Sequence, residues 1–172
     1  MMKPLASDEK IALVMVYTPN MLVRGEVIVK ESLRVSIWLR TQGIRNYVHI
    51  LEPQIILFGG ASPKTLQYSE IFVPIEKVLA FHLAPPAHEP LDYDEDETNR
   101  MMQAVDLVVG TFLMKAKLRI STQTDVATNL DISSTAWMSI YDAAVSNPYL
   151  PQFSAQAPML LVNPGGVSIG LA

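Results

Sequence analysis

The chain has 172 residues, of which 17% are charged and 49% hydrophobic, with a formal net charge of −4. A soluble domain usually carries about 25% charge, so this composition excludes a disordered chain and points to a packed core beneath an unusually neutral surface. With no cysteine, disulfides, thiolate metal sites and cysteine nucleophiles are excluded, and a reducing, cytoplasmic location is expected.

In chain order, residues 11–17 form an apolar run too short for a signal peptide. Residues 22–29 are rich in β-branched side chains and predict a strand. Residues 34–41 alternate, with Val35, Ile37 and Leu39 on one side and Arg34, Ser36, Trp38 and Arg40 on the other, and predict another. Residues 47–57 predict a third that bends or ends at Pro53, with Phe58-Gly59-Gly60 as the turn. Residues 71–83 predict a hairpin turned by Pro74-Ile75-Glu76-Lys77. An acidic, proline-containing linker follows at 87–99. Residues 87–106 hold seven acids and one base. Residues 96–105 predict a short helix, with acids at its start where the helix dipole favours them. Residues 143–172 contain no charge, yet Pro148, Pro151, Pro158 and Pro164 break any helix of membrane-spanning length. No transmembrane segment is expected.

The chain also resembles itself. Setting residues 22–36 above 107–121 gives seven identities in fifteen positions, Leu22/Leu107, Val23/Val108, Gly25/Gly110, Lys30/Lys115, Leu33/Leu118, Arg34/Arg119 and Ser36/Ser121, where chance gives about one. Residues 71–83 and 159–171 share the rhythm of apolar run, turn, apolar run, with Asn163-Pro164-Gly165-Gly166 as the second turn. Two copies of one module are read, at 11–86 and 100–172.

The order of elements in each copy resembles the Sm-like fold, in which a short helix precedes a strongly bent five-stranded barrel. Residues 71–83 resemble its closing hairpin. Val23-Arg24-Gly25, Leu33-Arg34-Val35-Ser36 and Val73-Pro74-Ile75 also resemble an uncharacterised bacterial domain family without established activity. The resemblance implies a small barrel that joins its neighbours edge to edge. The closing turn, Pro74-Ile75-Glu76, lacks the Arg-Gly that RNA-binding members of the family use, and RNA binding by that route is not expected. The fold class expected is mainly β, as two tandem Sm-like bent-sheet or barrel modules with a short helix between them.

No motif for catalysis stands out. His49, His82 and His88 have no metal-ligand spacing. The acids from Asp92 to Glu97 lack the calcium-loop pattern, because the twelfth position is Gln103. Gly59-Gly60 and Gly165-Gly166 are turns rather than phosphate loops. No catalytic residue, metal or cofactor is expected. The reading favoured is a non-enzymatic structural or interaction subunit that forms a homo-oligomer, with other protein subunits as further partners. Its contacts would be strand edges without guard charges, at Met159, Leu160, Leu161, Val162, Val167 and Ile169 and at Ile71, Phe72, Val73, Leu79 and Phe81. The alternative is a nucleic-acid-binding or regulatory module using Trp38, Arg40, Arg45 and Tyr47.

Overall fold

The structure is a computed structural model that describes residues 4–41 and 46–172. It is mainly β. The strands are β1 (Glu9–Tyr17), β2 (Met21–Lys30), β3 (Tyr47–Leu57), β4 (Lys64–Gln67), β5 (Glu70–Pro74), β6 (Ala80–Leu83), β7 (Arg100–Val109), β8 (Phe112–Ser121), β9 (Met138–Ser146), β10 (Ser154–Val162) and β11 (Ser168–Gly170). Two short helices, α1 (Trp38–Thr41) and α2 (Val126–Ile132), follow β2 and β8.

All strands belong to one antiparallel sheet in the order β11-β7-β8-β9-β10-β6-β1-β2-β3-β4, and β5 also pairs with β3. Among the described residues the sheet does not close. Its ends are β4 with β5 on one side and β11 with the start of β7 on the other. Residues 9–83 and 100–170 follow the same pairing scheme. In each, the last strand lies beside the first, followed by the second, third and fourth. The irregularities recur too. The register shifts between Arg24 and Glu26 and between Lys115 and Lys117, opposite Glu52 (φ 46°) and Asp142 (φ 49°). A bulge that twists the strand explains both sites. It also explains a glycine at position 25. A Cβ there would sit 2.5 Å from Ile50 Cγ2 and 2.9 Å from the Leu51 carbonyl oxygen.

The two halves meet where β10 pairs with β6, through Leu161 opposite Phe81 and Val162 opposite Ala80. Two cores result. One is built mostly from β7–β10 and takes in Tyr17, Leu22 and Phe58. The other lies under β1–β6 and takes in Trp137 and Leu161. Phe112 anchors the first, edge-on to Tyr17 at 4.9 Å and to Phe58 at 5.5 Å between ring centroids.

Several sequence expectations change. Residues 35–41 are helical, a 3-10 turn at Val35–Ile37 running into α1. The apolar residues buried there are Val35, Trp38 and Leu39, a spacing of three and four, and burying Trp38 outweighs the alternation. Residues 96–105 are not a helix. The chain turns and enters β7, because Val105, Leu107 and Val109 alternate into the core and β7 pairs with β8 along its length. The helices therefore lie inside the two halves, not between them. The sheet is open rather than two closed barrels. β5 and β6 do not form a hairpin, nor do β10 and β11, since β6 crosses to β1 and β11 to β7. Pro53 does not end β3, which continues through the bulge to Leu57. The match of 22–36 to 107–121 is not the correspondence of strands. Residues 22–30 lie within one strand, whereas 107–121 run from β7 through the turn at Gly110 (φ 58°) into β8.

Candidate functional site

The segment between β6 and β7 is an ordered strap. Its first anchor is Glu89, whose Oε2 and Oε1 accept the backbone N–H groups of Val35 (3.0 Å) and Ser36 (2.7 Å). This satisfies the free donors of a helix start that has no side-chain cap of its own. Partial burial opposes ionisation of Glu89, but these bonds prevail and hold its carboxyl below the usual range. Arg34 donates to the Pro90 carbonyl beside it.

The second anchor is Asp92. Its Oδ2 accepts from Arg40 Nη1 (3.0 Å) and Ser139 Oγ (2.5 Å), and its Oδ1 from the Tyr141 hydroxyl (2.5 Å). Arg40 Nη2 also donates to Ser139 Oγ (2.5 Å) and to the Trp137 carbonyl (3.2 Å). Arg40 belongs to α1 of the first half, and Ser139 and Tyr141 to β9 of the second. Asp92 therefore ties both halves to the strap. Burial works against its charge, yet the three donors keep its carboxyl below the ordinary value, and burial together with Asp92 pushes the Tyr141 phenol well up.

The third anchor is Arg119, which bonds Glu97 (2.9 Å) and lies 4.2 Å over the Tyr93 ring. Glu97 also receives Arg100 (3.1 Å), and Tyr93 meets Tyr141 edge-on at 5.0 Å. Beside these groups is an open cleft of about 510 Å³, lined by Arg40, Arg100, Arg119, Asn129, Trp137 and Tyr141 among others. Its arginines are bonded to Asp92 and Glu97, so the arrangement holds chain segments together rather than presenting a bare cationic surface. Among the described residues, no three His, Asp or Glu side chains converge on a point where a metal ion would sit. No helix there is long and apolar enough to cross a membrane.

A separate buried pair joins β1 to β6. His82 is 0% exposed. Its Nδ1 lies 2.6 Å from the Leu83 carbonyl and its Nε2 2.8 Å from the Tyr17 hydroxyl. A carbonyl can only accept, so Nδ1–H donates to it, and Nε2 accepts from Tyr17. Burial pushes the His82 imidazole down to about 4.

No family model, curated protein or solved structure matches this chain.

The residues singled out in the sequence divide sharply. Met159, Leu160, Leu161 and Val162 lie in β10, inside the sheet and buried; Phe81 on β6, Val73 on the end strand β5 and Leu79 just before β6 are buried as well. The β10–β6 seam within the chain occupies Leu161 and Phe81, so those two are not outward edges. Ile71 is half-buried and Phe72 is 54% exposed on β5, an end strand. Val167 and Ile169 are half-buried, Ile169 on β11, the opposite end strand. The described members of the basic-aromatic cluster have different settings. Trp38 is buried, tilted against Phe81 at 6.0 Å. Arg40 is held by Asp92, Tyr47 is exposed on β3, and Arg45 lies outside the described residues. The sequence reading missed the roles of Glu89, Asp92, Tyr141 and Arg119. One signal was present, since acids placed among prolines invite partners as much as solvent.

Proposed function

We propose that the protein is a non-enzymatic structural subunit that assembles with copies of itself, head to tail, through the two end strands of its sheet. The observation that carries the reading is the seam already present in the chain. There the fourth strand of the second half, β10, pairs with the last strand of the first half, β6. The strands left unpaired on their outer sides are the complementary two. They are β5, which shares with β4 the outer side of β3 and so the fourth place of the first half, and β11, last of the second. A copy of the same seam between two molecules would set Phe72 opposite Ile169 of the partner subunit, as Leu161 stands opposite Phe81. It would also set Val73 opposite Ser168 of the partner subunit, as Val162 stands opposite Ala80.

Two features support this. β11 carries no charged residue, and natural edge strands that stay unpaired are usually guarded by charge. Phe72 exposes an aromatic ring at the other edge, and covering it contributes at about 25 cal/mol per Å² before the cost of association. Because the two edges differ, the contact is heterologous. It makes a ring if the rotation closes and a filament if it does not. The recurring pairing scheme agrees with the reading of two Sm-like modules in tandem, an arrangement that joins neighbours edge to edge. The strap staples the internal seam and keeps the two halves in register.

Light scattering on the purified chain tests the reading. The expected result is a discrete particle that resists salt, and its reduction to about 19 kDa in Phe72→Lys. A monomer at all salt concentrations overturns it. So does an unchanged particle mass in Phe72→Lys.

A further inference from the structure

We propose that assembly at the β5 edge is switched by protonation of His49, an inference that rests on the edge-pairing reading above. His49 on β3 and Phe72 on β5 stand opposite each other in register. Their rings stack at 4.3 Å with 9° between planes, and His49 Nε2 lies 2.5 Å from Glu70 Oε2. All three are exposed, Glu70 and Phe72 on the strand that would receive the partner and His49 on β3 beside it. In the internal seam the corresponding positions are Ser139 and Leu161, neither of which titrates. The free edge thus carries an imidazole at the position where the permanent seam has the hydroxyl of Ser139.

Docking of a partner's β11 would cover Phe72 and remove water from the imidazole and the carboxylate beside it. The incoming strand, Ser168-Ile169-Gly170, offers no charge to either. A charged imidazole enters the seam paired with Glu70, whereas a neutral one leaves the carboxylate desolvated without a counter-charge. The surrounding charges do not take its place. On β2, Arg24 bonds Gln54 (3.3 Å), Lys30 is paired with Asp8 (2.7 Å), and Glu26 adds negative charge. On β3, Glu52 at the bulge is also negative. Lys64 lies on β4, and Glu76 and Lys77 follow β5 in opposite charge. On the docking side, Asp106 of the partner subunit lies next to Gly170 and is tied to Lys115 (3.5 Å). Histidine is the side chain that ordinarily changes charge between about pH 5 and 8, so association strengthens as the pH falls toward 6.

The test is the association constant at pH 6 and pH 8, by sedimentation of the full chain, for the parent, His49→Gln and Glu70→Gln. The parent is expected to associate roughly tenfold more tightly at pH 6. His49→Gln should lose the difference, and Glu70→Gln should lose the strengthening at pH 6. A parent oligomer of equal affinity at both pH values overturns the switch and leaves edge pairing standing, as does a His49→Gln variant that keeps the pH dependence. A parent that is monomeric at both pH values overturns edge pairing itself, and the switch with it.

Discussion

Acid should weaken the fold through His82 before it reaches the carboxylates. The imidazole sits at about 4 in the folded protein against an ordinary 6.5, because burial disfavours its charged form. The unfolded chain takes up the proton below about pH 6.5, and the folded one does not until about 4. The stabilisation is therefore complete above pH 6.5 and lost progressively as the pH falls toward 4. At about 1.4 kcal/mol for each tenfold, the gap corresponds to roughly 3 kcal/mol, a large part of the stability of a domain this size. Urea unfolding of Phe72→Lys, chosen to remove linkage to the proposed assembly, should show the midpoint falling between pH 6.5 and 4.5. The carboxylates of Glu89, Asp92 and Glu97 are held below their ordinary values, and their contribution is lost at more acid pH. His82→Gln keeps a donor and an acceptor without a titrating ring, and should flatten the fall. An equal slope in parent and variant would refute the assignment of this window to His82.

Two further outcomes follow from the strap and the seam. Asp92→Ala leaves Arg40, Ser139 and Tyr141 without their shared acceptor and should cost about 2–3 kcal/mol, seen as a lower urea midpoint together with faster proteolysis within 87–99. Leu161→Lys places a charge at a position with 0% exposure, so it should give unfolded or insoluble protein rather than a folded monomer. A folded, monomeric Leu161→Lys would contradict the placement of β10 inside the sheet.

Strand existence was readable where side chains alternate against a core. Residues 47–57 are β3 to the residue, and 22–29 fall within β2. The turns at Phe58-Gly59-Gly60 and Asn163-Pro164-Gly165-Gly166 were carried by residues with few alternatives, and Gly166 N–H bonds the Asn163 carbonyl (2.9 Å). Residues 35–41 misled because Val35-Ser36-Ile37-Trp38-Leu39 fits both periods. What decides between them is Glu89, 53 positions beyond Ser36, which caps the helical alternative. Residues 96–105 misled because acids at a helix start look the same as acids at a strand entry. There Glu97 serves Arg100 and Arg119 across the β7–β8 ladder instead. The seam residues read as two closing hairpins with outward edges, and sequence could not say that β10 would find its partner inside the same chain. That choice depends on the crossing of β6 to β1, a contact spanning more than sixty residues.

The most direct test of edge pairing uses the absence of native cysteine. Opposed residues on paired antiparallel strands lie about 4.5–5.5 Å apart at Cα, within the range a disulfide spans. Under mild oxidation, the double variant Phe72→Cys/Ile169→Cys should form a ladder of covalently linked chains that collapses on reduction, with either single variant forming none through this seam. Only uncrosslinked single chains from the double variant, at concentrations where the parent is oligomeric, would show that β5 and β11 do not meet.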